Sequence, residues 1–207
     1  MLSKTIIVAD GDFPKHEIPL QYLRNAVRIV CCDGSVEKLL AAGMKPYAIV
    51  GDMDSLNAKL ASEFADRIYV DKNQETNDLT KAVLWCRQMN FNDLVIVGAT
   101  GKREDHTLGN ISLLVDYAEH VKVIMVTDTG TFFPFLKSCK LPSLPGQQIS
   151  LFSINPETEI SSTGLKYPLN HNKLKNWWVA TLNESLGNSF SIEFSKGAIL
   201  VYMKFPE

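Results

Sequence analysis

The sequence predicts two kinds of fold in one chain: a mostly parallel, Rossmann-like α/β/α domain, then an antiparallel β-sandwich. Three observations carry this. Up to about residue 130, apolar runs alternate with segments of helical period, as in a parallel sheet covered on both faces. Beyond that point the helical period fades, and Pro142, Pro145, Gly146, Pro156, Gly164 and Pro168 punctuate short segments. Apolar and polar residues then alternate through most of 148–154 and all of 190–194, which marks half-buried strands.

Each element has its own warrant. The run 5–9 (Thr-Ile-Ile-Val-Ala) reads as the first strand. Segment 18–27 reads as a helix with Leu20, Leu23 and Val27 on one face. Residues 28–32 form a second strand, and 35–42 a helix through Val36, Leu39 and Leu40 that stops at Gly43. Pro46 leads into a strand at 47–50, followed by a short helix at 58–64 and a strand at 67–70. Residues 76–89 are helical, with Leu79, Val83 and Cys86 (or Leu84) toward the core. A strand at 94–97, one helix over 104–119 and a strand at 121–126 complete this half. In the second half, 148–154, 190–194 and 198–205 read as strands. Gly130, Pro142, Pro145 and Gly146 place the boundary within 130–146, giving domains 1–135 and 136–207.

Bulk properties narrow the function. A formal net charge of −2 over 207 residues excludes a broad basic surface for nucleic acid or acidic membrane. No apolar stretch approaches the roughly 20 residues of a membrane helix. The start, Met1-Leu2-Ser3-Lys4 followed by the apolar run 5–8, is shorter than a signal h-region and is expected to be a first strand. Cys31, Cys32, Cys86 and Cys139 form no Cys-x-x-Cys pair, so reduced thiols in a cytoplasmic protein are expected.

Chemistry concentrates where the predicted strands end, the edge at which open α/β sheets bind ligands. Asp33-Gly34-Ser35 follows the second strand and Gly51-Asp52-Met53-Asp54-Ser55 the third. An acidic and amide-rich loop, 71–78, follows the fourth, and Gly98-Ala99-Thr100-Gly101-Lys102-Arg103-Glu104-Asp105-His106 the next. Carboxylates gathered on one rim repel one another unless a cation lies between them. Mg²⁺ is commonly held by one or two carboxylates plus substrate phosphates. The glycine loop with Lys102 and Arg103 before a helix start suits phosphate. Together these features point to phosphoryl or pyrophosphoryl transfer.

These motifs, in this order, resemble the thiamine pyrophosphokinase family. Its Lys-Pro-x-x-Ile-Val-Gly-Asp-x-Asp-Ser block matches Lys45–Ser55, and its Gly-Arg-x-Asp-His loop is similar to 101–106. The segment 73–78 resembles Asp-Gln-x-x-Thr-Asp, and 162–167 the family's Thr-Gly-Leu-Lys-Trp/Tyr segment. The resemblance implies Mg²⁺-dependent transfer of pyrophosphate from ATP to the thiamine hydroxyl, in a homodimer with thiamine near the subunit interface. It implies that Asp52, Asp54 and Asp78 hold the metal and that Arg103, with Asp105, serves the phosphates. Asp33, Gly34, Gln74, Asn77, Gly101, Lys102 and His106 are then nucleotide-site residues, and Thr163 and Tyr167 thiamine-site residues. Asn73 and Asn77 depart from the family's Asp and Thr, and Ser35 from a Gly. The alternatives are a metal-dependent nucleotide-sugar transferase and a non-catalytic thiamine or nucleotide sensor.

Overall fold

The computed structural model describes residues 4–206; the opening Met1-Leu2-Ser3 lies outside them. The chain forms two compact units. One runs to Ile111 and resumes for His120–Asp128; the other comprises Ser112–Glu119 and the chain from Thr129. The fold is α/β plus antiparallel β, as the sequence predicts.

The first unit contains β1 (Thr5–Val8), α1 (Glu17–Arg24), β2 (Arg28–Cys32), α2 (Ser35–Ala41), β3 (Ala48–Gly51), α3 (Ala58–Glu63) and β4 (Ile68–Val70). It continues through α4 (Asp78–Gln88), β5 (Asp93–Val97), α5 (Glu104–Ser112) and, after α6 (Leu114–Ala118) of the second unit, β6 (Lys122–Val126). Its sheet has the order β6-β5-β1-β2-β3-β4, and every pairing is parallel. The central strands are buried along their length, which is why they read as unbroken apolar runs.

Side chains cap the helices where the sequence offers Asn or His. Asn57 accepts from the Lys59 N–H at 2.8 Å, and Asn77 from the Thr80 N–H at 2.9 Å. On α4, Leu79, Ala82, Val83 and Cys86 face the core. Trp85, also buried, packs at a tilt of 47° against Tyr69 with ring centroids 4.6 Å apart.

Three predicted details differ. Val27 lies outside α1 and is exposed, because the helix stops at Arg24 and the chain turns at Asn25. Leu84 is exposed, leaving Cys86 on the core face. The single helix expected over 104–119 is broken at Leu113 into α5 and α6.

The second unit is a sandwich of two sheets. One has the order β12-β9-β14-β7, from β7 (Gly130–Phe135), β9 (Gln148–Ser153), β12 (Asn183–Glu184) and β14 (Ile199–Lys204). The other has the order β11-β10-β13-β8, from β8 (Cys139–Pro142), β10 (Glu159–Thr163), β11 (Asn172–Lys173) and β13 (Ser189–Phe194). Ile149, Leu151, Val201 and Ile199 from the first sheet meet Ile160, Phe190 and Ile192 from the second in one core. Proline-bearing segments in the expected boundary region are strands: Pro134 pairs with Leu200, and Pro142 ends the edge strand β8.

Candidate active site

The carboxyl ends of β1, β2, β3 and β5 border a cleft of about 540 Å³ in the first unit. Asp52 and Asp78 line it, and Asp33 is buried next to them. Asp33, Asp52 and Asp78 each bring a carboxylate oxygen within 4.8 Å of the other two. Three parts of the chain build this cluster. Asp33 follows β2 with a left-handed backbone (φ 33°), its N–H donating to the Val50 carbonyl at 3.0 Å. Asp52 follows β3, and Asp78 opens α4. Gly51 lets them meet: a Cβ there would lie 2.9 Å from the Asp33 Cβ and 3.3 Å from Asp78 Oδ1.

The electrostatics differ residue by residue. Burial pushes the Asp33 carboxyl up, against the Ser55 N–H that donates to Oδ2 at 3.0 Å. Its Oδ1 is buried with no hydrogen-bond partner. The Asp54 N–H, at 3.2 Å from Oδ1, holds the Asp52 carboxyl low, with help from Lys81 against partial burial. Lys81, on α4 and only 3% exposed, places Nζ 3.0 Å from Asp78 Oδ1 and 3.3 Å from Asp52 Oδ2. Burial would discharge it, but the two carboxylates overcome that and raise its pKa.

This donor set fits a hard divalent ion such as Mg²⁺. It is all oxygen, it comes from three separate segments, and one buried oxygen lacks a partner. Among the described residues it is the one His, Cys, Asp and Glu group compact enough to share an ion. Asp54, expected beside Asp52 in a metal site, is exposed and lies outside the triad, while Asp33 lies inside it. Between Asp52 and Asp54, Met53 takes a left-handed φ of 69°, so the extended spacing that would align both side chains is absent.

The loop after β5 brings cations to the same cleft. The loops after β1 and β5 dock backbone to backbone, with the Gly11 N–H 2.7 Å from the Gly98 carbonyl and the Asp12 N–H 2.8 Å from the Thr100 carbonyl. An added Cβ at Gly11 would lie 2.4 Å from the Thr100 oxygen, so only glycine allows this approach. Asp10 accepts from Lys38 Nζ at 2.7 Å and Lys102 Nζ at 3.0 Å. Gly101, Lys102, Arg103 and His106 line the cleft, all exposed. Arg103 pairs with Asp105 and holds its carboxyl down at about 2.

Among the other predicted residues, Gln74 and Asn77 also line the cleft. Asn77 caps α4 and donates to Asn110 Oδ1 at 3.3 Å. Gly34 starts α2, beside Ser55. In the second unit, Thr163 ends β10 exposed, and Tyr167 is 63% exposed. Asn183 fixes the Tyr167 backbone from both sides, accepting its N–H at 3.0 Å and donating to its carbonyl at 2.7 Å. Sequence reasoning missed Lys81, Asp10 and Lys38. For Lys81 a signal was present: a lysine three residues after Asp78, within the buried stripe of α4.

Comparison with known proteins decides the family. The family described as thiamin pyrophosphokinase, catalytic domain, matches residues 20–126, and thiamin pyrophosphokinase, substrate-binding domain, matches 130–202. The chain belongs to the thiamin pyrophosphokinase family, a family of enzymes.

The Bacillus subtilis thiamine pyrophosphokinase is 28% identical over 210 residues, covering 96% of this chain and 97% of its own. Caenorhabditis elegans thiamin pyrophosphokinase 1 is 26% identical over 186 residues, covering 82% of this chain and 76% of its own. The crystal structure of thiamin pyrophosphokinase from Geobacillus thermodenitrificans superposes with a TM-score of 0.80 at 25% identity, over 99% of this chain and 98% of that one. The catalytic-domain match contains all three triad carboxylates, Lys81 and the Lys102-Arg103 loop.

Proposed function

We propose that this enzyme transfers the pyrophosphoryl group of ATP to the hydroxyl of thiamine, giving thiamine diphosphate and AMP. The observation that carries this reading is the convergence of Asp52 and Asp78 with the buried Asp33 at a cleft that Lys102 and Arg103 also line. Carboxylates for a metal together with cations for phosphate is the arrangement phosphoryl chemistry requires.

Mg²⁺ bound by the triad would neutralise charge on the transferred phosphates. Asp54 adds a fourth negative charge beside them. Lys102 and Arg103 bind phosphate oxygens, with Asp105 holding the guanidinium in place. Gln74, Asn77, Gly101 and His106 contact the nucleotide from the cleft wall, and Asp33-Gly34 supports the same edge. The thiamine oxygen attacks the β-phosphorus, the bond from that phosphorus to the α–β bridging oxygen breaks, and the hydroxyl proton passes to a carboxylate of the cluster.

Thiamine binding falls to the second unit, which takes up the chain from Thr129 rather than from residue 136, and ATP binding and catalysis to the first. The exposed Tyr167 ring, which already carries Lys166 Nζ 6.0 Å from its centroid, offers an aromatic face to a cationic heteroaromatic ligand, and Thr163 supplies a hydroxyl. Exposed Trp178, Leu182 and Leu186 offer an apolar surface for a second copy in a homodimer. No helix among the described residues is long and apolar enough to cross a membrane, and the four free cysteines fit the reducing cytoplasm.

The test is direct. Purified protein is incubated with Mg²⁺, ATP and thiamine, and the products are separated by chromatography. Stoichiometric AMP and thiamine diphosphate are expected. ADP with thiamine monophosphate, or binding of both ligands without turnover, would overturn the reading.

A further inference from the structure

We propose that Lys81 is a built-in counter-cation of the acidic triad. It is a positioning residue that holds Asp52 and Asp78 in place and disfavours a bare divalent ion relative to one carried in by phosphates. The inference rests on the pyrophosphokinase reading for what the triad binds.

The argument starts from burial. Lysine is almost never fully buried unless paired, because an ammonium loses its hydration there. Lys81 is 3% exposed, on the stripe of α4 otherwise formed by Leu79, Ala82, Val83 and Cys86. A residue chosen only to pack α4 against the sheet would be apolar. Its ammonium instead reaches both Asp78 Oδ1 and Asp52 Oδ2, at 3.0 and 3.3 Å. Asp33, the third triad member, accepts from the Ser55 N–H instead. Lys81 therefore bridges two carboxylates from separate segments and fixes their spacing.

Its charge has a second consequence. Three ionised carboxylates carry −3, and Lys81 reduces the cluster to −2. A lone divalent cation is attracted less strongly by the reduced cluster and is repelled by the ammonium close by. A magnesium–nucleotide complex is itself anionic, so it is repelled less by a cluster of −2 than by one of −3. The same lysine thus weakens the first interaction and eases the second.

The experiment uses Mn²⁺ as the probe, titrated into nucleotide-free protein with the free ion followed by electron paramagnetic resonance. Lys81→Met removes the charge and keeps the length of the side chain. Lys81→Gln keeps a donor toward the carboxylates without charge and serves if the methionine variant does not fold. Lys81→Arg keeps the charge. The neutral variants are expected to bind Mn²⁺ at least tenfold more tightly than the parent protein. The gain should disappear when Asp78→Asn is added, and Lys81→Arg should stay within threefold of the parent. The KM for the magnesium–nucleotide complex should rise in the neutral variants. Unchanged or weaker Mn²⁺ binding in a folded neutral variant overturns the inference. The titration needs no turnover, so a parent protein that makes thiamine diphosphate while Lys81 variants bind Mn²⁺ normally sinks this inference alone.

Discussion

Replacing Gly51 with alanine tests the geometry of the triad without touching any of its charges. The added methyl would lie 2.9 Å from the Asp33 Cβ and 3.3 Å from Asp78 Oδ1. Carbon atoms pack comfortably at about 3.5–4.0 Å, so Asp33 or Gly51 must yield by roughly 0.5–1 Å. Neither yields cheaply. Asp33 sits in a left-handed conformation, its N–H bound to the Val50 carbonyl and its Oδ2 to the Ser55 N–H. Overpacking of this kind costs about 1–3 kcal/mol. In a chain of this size that is a fall in Tm of roughly 2–12 °C. Displacement by ~1 Å in a positioned site costs on the order of 10²-fold in rate. Gly51→Ala should therefore lose thermal stability, bind Mn²⁺ at least tenfold more weakly and turn over 10- to 100-fold more slowly, on the order of what such displacements cost. Thermal denaturation, Mn²⁺ titration and the chromatographic product assay read the three quantities. A variant that loses stability but keeps Mn²⁺ affinity and turnover within about twofold would show that the triad is not where the chemistry occurs. An unchanged Tm would refute the packing argument itself.

Other expectations follow from single residues. Asp52→Asn should lower turnover by at least ~10²-fold through loss of a triad charge, and Asp54→Asn, at an exposed position outside the triad, by less than ~10-fold; equal losses would return Asp54 to the metal site. Tyr167→Ala should raise the thiamine KM about fivefold or more, since an aromatic stack is worth ~1 kcal/mol; a normal KM would end the stacking assignment. Arg103→Gln should let the Asp105 carboxyl, held at about 2, rise toward the ordinary carboxylate range. The sign is that of a depressed acid: the ion pair contributes above the ordinary carboxylate range and is lost as pH falls toward 2. Both side chains are exposed, so added salt should shrink the difference. An NMR titration of the Asp105 carboxyl carbon that did not move in the variant would refute the pairing.

The sheet of the first unit was legible because burial on both faces leaves its mark in sequence. Runs such as Ile6-Ile7-Val8 and Leu94-Val95-Ile96-Val97 admit few polar residues, and both are strands. Helix ends were less legible: Asn25 and Leu113 stop or break helices whose apolar period continues past them. β7 and β8 were obscured by Pro134 and Pro142, which a strand tolerates only where no ladder N–H is required. At the site, the sequence put carboxylates at the strand ends but could not rank them. Asp33 joins Asp52 and Asp78 because β2 and β3 pair in parallel and Gly51 leaves room, and Asp54 is turned out by the backbone at Met53. Lys81 was hidden for a related reason. A lysine on an amphipathic helix ordinarily belongs to the solvated face, and only the tertiary fold shows it beside Asp52 and Asp78.

The packing of Trp85 against Tyr69 gives the protein a built-in optical reporter. Trp85 is 9% exposed and lies on α4, one turn beyond Lys81 and two beyond Asp78, whereas Trp178 in the second unit is 74% exposed. A shielded indole emits toward the blue and resists soluble quenchers; an open one emits toward the red and is quenched readily. Light that survives iodide therefore comes mainly from the helix that supplies Asp78 and Lys81 to the cleft, with a share from Trp177 of the second unit, 36% exposed and edge-on to Phe152. Any shift of that helix as an ion arrives changes a signal the protein already carries, and no label has to be attached near the chemistry. The quenchable red component, in turn, records the fate of the second unit in the same cuvette, so the melting of each unit can be followed as a separate transition.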